Sequence, residues 1–506
     1  MRAKKFTAIV ALGVVLAVAG QPTAAAAPGE SVAVIVVTPF DGIFNSRTAA
    51  HGLLVPGEGA TVTGENALAS LLRGKMGNAV LNGGRPGGKP QIRLSPRPEH
   101  TTFYVSLPPL ERTHNVTRYP IAVVGPGYHG LLTSTSTRLP GLVSIADVAP
   151  SVKALRRGDR PRIKSRPSSD PLAALRRLDH RLSHAHDARV GATIVLVGLM
   201  VVFAILALIS RWPVLGRAAF FSAPACLVVA VALSALGVTD RSQVVIAIAG
   251  VAGAVALAGG ALLRPRLPLA AGLAAIFAFL FVVMWKRPEW NSLSALGPRP
   301  DGGGRFYGVT NQVETLLLAP ALVLGALAGP ALPAVALLIA AGIAASSVGA
   351  DGGGLVVYLA AFLVLALRVR PWPGMARAVA AAAIAAAAAL ALVGVDAATG
   401  GSSHVTHAVG GGPGSLAGDL GHRLHLSWAS IGSTWNAALL FALGLAALVW
   451  LALRRQRLPL LDALLAGLAV SLLVNDTPTD VAGLGGLSAL VLWAWWRSGE
   501  RFPGLD

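Results

Sequence analysis

Four polar motifs in an otherwise apolar chain carry the residues able to do chemistry. The first, Pro300–Glu314, holds Asp301, the glycines Gly303 and Gly304, then Arg305, Tyr307, Asn311 and Glu314. Glycine lets backbone N–H groups approach a ligand, and a guanidinium adds a planar fork of donors, so this spacing suits an anion such as phosphate. Glu314 opens an apolar stretch, and an acid at membrane depth is a functional candidate in its own right. The second motif sets Asp351 before three glycines. The third carries His404 and His407 in a glycine-rich segment; two histidines are short of a zinc site, so no metal is assigned and proton handling is the stronger reading. The fourth is Asn475-Asp476 with Asp480 close behind. Arg305, Glu314, Asp351, His404 and Asp476 are the candidate catalytic groups. Gly303, Gly304, Tyr307, Asn311, His407, Asn475 and Asp480 are the candidate binding groups. No cofactor is named by this set.

The elements that must position these groups are membrane helices. The chain is 54% hydrophobic and 13% charged, a polytopic membrane composition. Its formal net charge of +19 is spread over a connector and the plain loops, as a positive-inside bias and anionic lipid require, which argues against nucleic acid as a partner. The single cysteine, Cys226, excludes an intrachain disulfide. From residue 190 to 497 the pattern predicts an α-helical bundle of about eleven spans. Plain basic loops (Arg211–Arg217, Arg264–Arg266, Arg368–Arg377, Arg454–Arg457) alternate with the four polar motifs. The alternation gathers the motifs at one face. With the basic loops cytoplasmic, that face is extracytoplasmic and the tail at 498–506 is inside.

Residues 1–27 read as a signal peptide: Arg2, Lys4 and Lys5, an apolar core, then a small-residue run at Thr23–Ala27. Residues 28–152 then form an exported α/β domain. Strands are predicted at Ser31–Val37, Thr102–Leu107 and Tyr119–Val124, and helices at Asn66–Arg73 and Ile145–Leu155. The connector 153–189 begins as a tether over Arg156–Asp170. It continues as a helix over Pro171–Ala188, lying on lipid headgroups or extending the first span.

Two resemblances follow. Val123–Val152, with Gly125, Gly127, Thr133 to Arg138, Asp147, Ala149 and Pro150, resembles the C-terminal signature of alkaline-phosphatase-like domains, and Val32 to Gly42 resembles their first strand. The domain is less than half the family's usual length and lacks its Asp-His-Gly motif, with His51, His100 and His129 isolated. The resemblance therefore implies a shrunken, inactive relative. The set Arg305, Tyr307, Gly308, Asn311, Glu314, Asp351, His404, Asn475 and Asp476 resembles uncharacterised multi-pass membrane proteins of Gram-positive, actinobacterial-type organisms that carry such an exported domain. That resemblance implies the architecture and no reaction. The residues themselves point to a plasma-membrane protein acting in cell-envelope biogenesis on a lipid-linked phosphate or sugar substrate, with membrane lipid and a lipid-linked phosphate or glycan intermediate as partners. Whether it is an enzyme stays open. A proton- or cation-coupled transporter or flippase, and a receptor or scaffold using the exported domain, are the alternatives.

Overall fold

The computed structural model describes residues 30–79, 84–263, 267–302, 304–369 and 434–500, with a few single positions between 391 and 432. A mixed sheet of seven strands occupies the N-terminal part, in the order β1 (Val32–Val36), β4 (Thr101–Val105), β6 (Tyr119–Val124), β2 (Ala50–Val55), β7 (Gly130–Ser134), β9 (Ile163–Arg166). β8 (Leu142–Ser144) also pairs with β2, while β3 (Thr61–Val62) and β5 (Thr113–His114) form a separate ribbon. The β-branched runs at β1 and β6 are buried because the sheet is covered by α1 (Gly64–Arg73) and α2 (Val148–Arg157), whose apolar residues Ala67, Leu71, Val148 and Val152 complete the core.

The domain does not stop at residue 152. α2 runs on to Arg157, and β9 joins the sheet antiparallel to β7, pairing Thr133 with Lys164 and Leu131 with Arg166. Much of the expected tether is therefore folded, because the free edge of β7 offers backbone groups that a strand satisfies better than a loop.

The connector helix is not a separate surface element. Pro171–Ser210 is one α-helix of 40 residues, α3, capped by the Asp170 side chain accepting from the Ala173 N–H at 2.9 Å. At 1.5 Å per residue it is about 60 Å long, roughly twice a bilayer's hydrocarbon thickness. Its projecting half lies against the sheet domain. Leu182 packs with Val55, Leu139, Leu142, Leu293 and Phe306, and Arg118 Nε donates to Asp179 Oδ1 at 2.6 Å.

Seven helical runs among the described residues are long and apolar enough to cross a membrane: α3, α4 (Pro213–Ala235), α5 (Arg241–Leu262), α6 (Leu267–Lys286), the run Asn311–Ala344, α9 (Gly352–Val369) and α10 (Trp435–Ala452). Asn311–Ala344 is folded back on itself as α7 (Asn311–Ala328) and α8 (Leu332–Ala344), joined by the turn Gly329–Ala331. The Val309 N–H donates to the Gly349 carbonyl at 2.8 Å, so the start of α7 and the end of α8 meet. α11 (Pro459–Val474) is a shorter apolar helix, and α12 (Pro478–Arg497) packs against α3, α4, α7 and α10. The expected count of about eleven thus stands at seven by length and composition, and the expected span at 376–397 lies outside the described residues.

Contacts at the helix ends sort the loops into two groups. At the end that carries the sheet domain, Arg181 donates to the Ser234 carbonyl (2.8 Å), His186 meets Asp301 (2.6 Å) and Asn311 Nδ2 donates to Asp476 Oδ1 (2.8 Å). At the other end Arg368 and Arg457 both pair with Asp462, at 2.6 and 2.9 Å. Arg217, expected in a plain loop, is buried there: it donates to Glu500 Oε1 and to the Gly260 carbonyl, both at 2.6 Å.

Candidate functional site

The first turns of α7 and α9, the last turn of α11 and the start of α12 converge at the domain end. α7 begins where Thr310 Oγ1 accepts the Val313 N–H at 3.2 Å, which sets Glu314 facing inward and fully buried. The approach of residues 308–309 to residue 349 requires glycine. Gly308 has φ 84°, and a Cβ there would lie 2.2 Å from the Gly349 carbonyl oxygen. Gly353 has a related role at α9, where a Cβ would lie 2.6 Å from Asn475 Oδ1. The glycines after Asp351 therefore serve helix approach.

Glu314 accepts from Asn475 Nδ2 at 2.9 Å and from Ser471 Oγ at 3.4 Å; Asn475 Nδ2 also reaches Ser471 Oγ at 2.7 Å. The backbone carbonyl of Glu314 accepts from Tyr358 Oη at 2.9 Å. The Asp351 carboxyl lies within electrostatic reach of the Glu314 carboxyl. Asp351, 2% exposed, accepts the Gly354 N–H (3.2 Å) on Oδ1, and Arg305 Nη2 lies 3.5 Å from the same oxygen. Asp351 Oδ2 is buried without a hydrogen-bond partner among the described residues. Two facing carboxylates are both acceptors, so this oxygen stays orphaned until one of the pair carries a proton or a ligand supplies a positive group.

Arg305 also donates to the Val309 carbonyl, and its side chain is 31% exposed, so the cluster opens toward solvent along it. It lies beside Asp351 near Glu314, and an anion clamp at this position is opposed by its surroundings. The guanidinium is already engaged by Asp351 and Val309, and the space beside Gly304 holds Glu58, whose Oε1 would lie 3.6 Å from a Cβ at that glycine.

Asp476 is tied to Asn311, whose Nδ2 also reaches Thr477 Oγ1 at 3.0 Å. Asp480 sits within electrostatic reach of Arg299 and Asp476. Tyr307 is elsewhere: its ring stacks under Arg138 of the sheet domain, 4.1 Å from guanidinium carbon to centroid. Tyr307 therefore belongs to the seam between domain and bundle. Gly303, His404 and His407 lie outside the described residues, although Ser427, near the end of that stretch, donates to the Asn475 carbonyl at 3.1 Å.

Two groups stand outside the candidate set: Glu58, which the sequence reading did not single out, and Asp301, which it noted in the first motif without a role. Glu58, flanked by Gly57 and Gly59, comes from the sheet domain. The Gly59 N–H donates to the Gly302 carbonyl (3.0 Å) and so brings Glu58 over the bundle. Burial and the nearby Asp476 charge raise the Glu58 carboxyl to about 7, against an opposing hydrogen bond from Asn78. An acid between two glycines was the available signal. The second group is Asp301, with His186 Nδ1 at 2.6 Å and Arg189 Nη1 at 3.7 Å. Burial disfavours its charge, but the His186 hydrogen bond and the Arg189 and His186 charges outweigh it and hold Asp301 below the usual carboxylate range. It clamps α3 to the 298–302 loop, where Arg189 Nη2 donates to the Pro298 carbonyl.

Glu58 makes the seam pH-dependent with a definite sign. Its folded pKa is raised from 4.5 to about 7, so the folded protein binds the proton more tightly than the unfolded chain. Its contribution is most favourable below pH 4.5 and is lost as pH rises through 7. The thermal midpoint of the purified protein is expected to fall between about pH 5 and pH 8. Glu58→Gln is expected to flatten that part of the profile; an unchanged slope in the variant would assign the dependence to other groups.

Two histidines of the sheet domain are engaged locally, His51 by the Ser46 carbonyl at 2.7 Å and His100 by Glu30 at 3.5 Å. No group of three or more His, Cys, Asp or Glu able to hold a metal occurs among the described residues. No protein-family model, no curated protein and no solved structure matches this chain.

Proposed function

We propose that the chain is a multi-pass plasma-membrane protein that takes up a proton or a small cation at the Glu314–Asp351 pair, in the manner of a proton- or cation-coupled transporter. The carrying observation is charge balance. Two carboxyls are buried together at the mouth of the bundle and, among the described residues, Arg305 is the guanidinium beside them. Buried charge is stable only when neutralised, so the second carboxyl takes a proton or a cationic group. Asn475 and Ser471 supply neutral donors and acceptors that tolerate either state. Glu58, Asp476 and Asp480 add carboxyls on the aqueous side, and the field of those that are ionised concentrates cations there. The same field weighs against a lipid-linked phosphate held at Arg305.

The test uses the full-length protein in sealed vesicles with an internal pH-sensitive dye and an imposed potential, with protons, Na⁺ and K⁺ as probes. Protein-dependent flux of one of these ions is expected, abolished by Glu314→Gln and by Asp351→Asn. Absence of flux for all three, with folded protein correctly inserted, would remove the reading.

The orientation proposed with it has the sheet domain outside. Cysteines introduced at Leu110, which is 79% exposed in the domain, and at Thr477 should react with an impermeant maleimide in intact cells. A cysteine at the exposed Gln456 should react only after permeabilisation, and the native Cys226 is buried. The reverse pattern would invert the assignment.

A further inference from the structure

The sheet domain carries a second charged feature, opposite in sign to the bundle mouth. A cavity of ≈ 250 Å³ at the β7–β9 edge is lined by Thr133, Thr135, Arg138, Arg162, Lys164 and Arg166, among others. The register explains the convergence. Pairing of Thr133 with Lys164 and of Leu131 with Arg166 puts residues 164 and 166 on one face of β9, since side chains alternate along a strand, and Arg162 lines the cavity from just before it. Arg138 enters from the turn between β7 and β8.

Basic side chains on an edge strand also discourage unwanted strand pairing, and that accounts for a charge or two on β9. It does not account for Arg138. This residue comes from another segment and has φ 54°, a left-handed conformation that disfavours residues with a Cβ. Its guanidinium carbon lies 4.1 Å from the Tyr307 ring centroid, and the residue also lines the cavity. The nearest opposing charge is Asp147, fully buried, which accepts from Ser136 Oγ at 2.9 Å and lies 3.5 Å from Arg162. One carboxylate against four cations leaves a net charge of about +3 around a small hollow edged by hydroxyls, which calls for an anion.

We propose that this hollow binds a phosphate-class dianion. The cavity has room for a phosphate carrying a small organic group, with Arg138, Lys164 and Arg166 as charge-assisted donors and the Thr133 and Thr135 hydroxyls as neutral ones. The site lies beside the Arg138–Tyr307 contact, so an occupant would brace the domain against the bundle. A soluble phosphate or phosphate ester and a phospholipid headgroup share this chemistry. The proposal is independent of ion uptake at Glu314 and Asp351.

The experiment measures equilibrium binding of radiolabelled inorganic phosphate to the full-length protein in phosphatidylcholine nanodiscs. Saturable binding is expected. It should weaken at least about tenfold in the double variant Lys164→Met/Arg166→Gln, which removes two charge-assisted donors. Lys89→Ala, an exposed basic residue elsewhere on the domain, should bind as the parent does. Should the double variant fail to fold, Lys164→Met alone carries the comparison. If anionic phosphatidylglycerol nanodiscs suppress the binding of free phosphate, the physiological source is a headgroup; if binding is equal in both discs, the source is soluble. No saturable binding by the folded parent, or binding untouched by the variants, would overturn the proposal.

Discussion

Arg305→Ala is expected to abolish ion uptake and to destabilise the domain end of the bundle. The substitution leaves Glu314 and Asp351 buried together without the guanidinium that lies 3.5 Å from Asp351 Oδ1. Breaking a fully buried pair costs about 3–5 kcal/mol. Arg305 is 31% exposed, so solvent screens part of its charge and a loss of about 1–3 kcal/mol is the reasonable expectation. Adding Asp351→Asn should recover much of that loss, because the amide removes one negative charge and can donate across to Glu314. Function should stay absent in the double variant, since the carboxyl pair is gone. Thermal midpoints in detergent, read with vesicle flux, separate the two effects. A single variant as stable as the parent would mean that the acids are hydrated or already neutral, and that Arg305 does not balance them.

The second large effect is at the opposite end. Arg217 and Glu500 are 8% and 7% exposed and meet at 2.6 Å. Glu500 Oε2 also accepts from the indole N–H of Trp495 at 2.6 Å, and Arg217 Nε is bound by the Gly260 carbonyl. Four segments of the chain (α4, α5, α12 and the residues after it) are thus pinned by one buried network. Arg217→Met should cost about 3–5 kcal/mol, because it strands the Glu500 carboxylate out of water. Arg217→Met with Glu500→Gln should be much milder, since no uncompensated charge is left and glutamine can still accept from Trp495. Trp495 is fully buried, and unfolding followed by tryptophan fluorescence gives the readout. A cost below about 1 kcal/mol for the single change would show that water reaches Glu500.

Local pattern made a good part of this architecture legible. Val32–Val36 and Tyr119–Val124 form strands because β-branched and aromatic runs between turn residues have little alternative. β2 and β7 were not anticipated. Gly52 and Gly130 interrupt their patterns, and both strands depend on partners far along the chain. β9 was taken for tether for a related reason: Ile163–Arg166 is basic and becomes a strand only because β7 offers it an edge. The helical spacing of Leu172, Leu175, Leu178 and Leu182 announced a helix, but equally one lying on lipid headgroups or one extending the first span. The continuous helix Pro171–Ser210 decides for the extension, and its Leu178 and Leu182 pack with the sheet domain's Leu139 and Leu142.

By itself the sequence determined that apolar helices alternate with basic and polar loops, and that the acids are concentrated in the polar set. Those properties follow from composition and period, which are local. Tertiary structure decided which acids meet. Glu314 in α7, Asp351 just before α9 and Asn475 just after α11 come together where Gly308 lets the chain before α7 approach the backbone at Gly349 and Gly353 leaves room for the Asn475 side chain. It also decided the sign of the field around Arg305. In the sequence this residue stands among glycines and reads as an anion site; in the fold Asp351 and Glu58 arrive from segments about 46 and 247 residues away and turn the surroundings negative. Electrostatic energy depends on distance through space, and a one-dimensional pattern does not contain that distance.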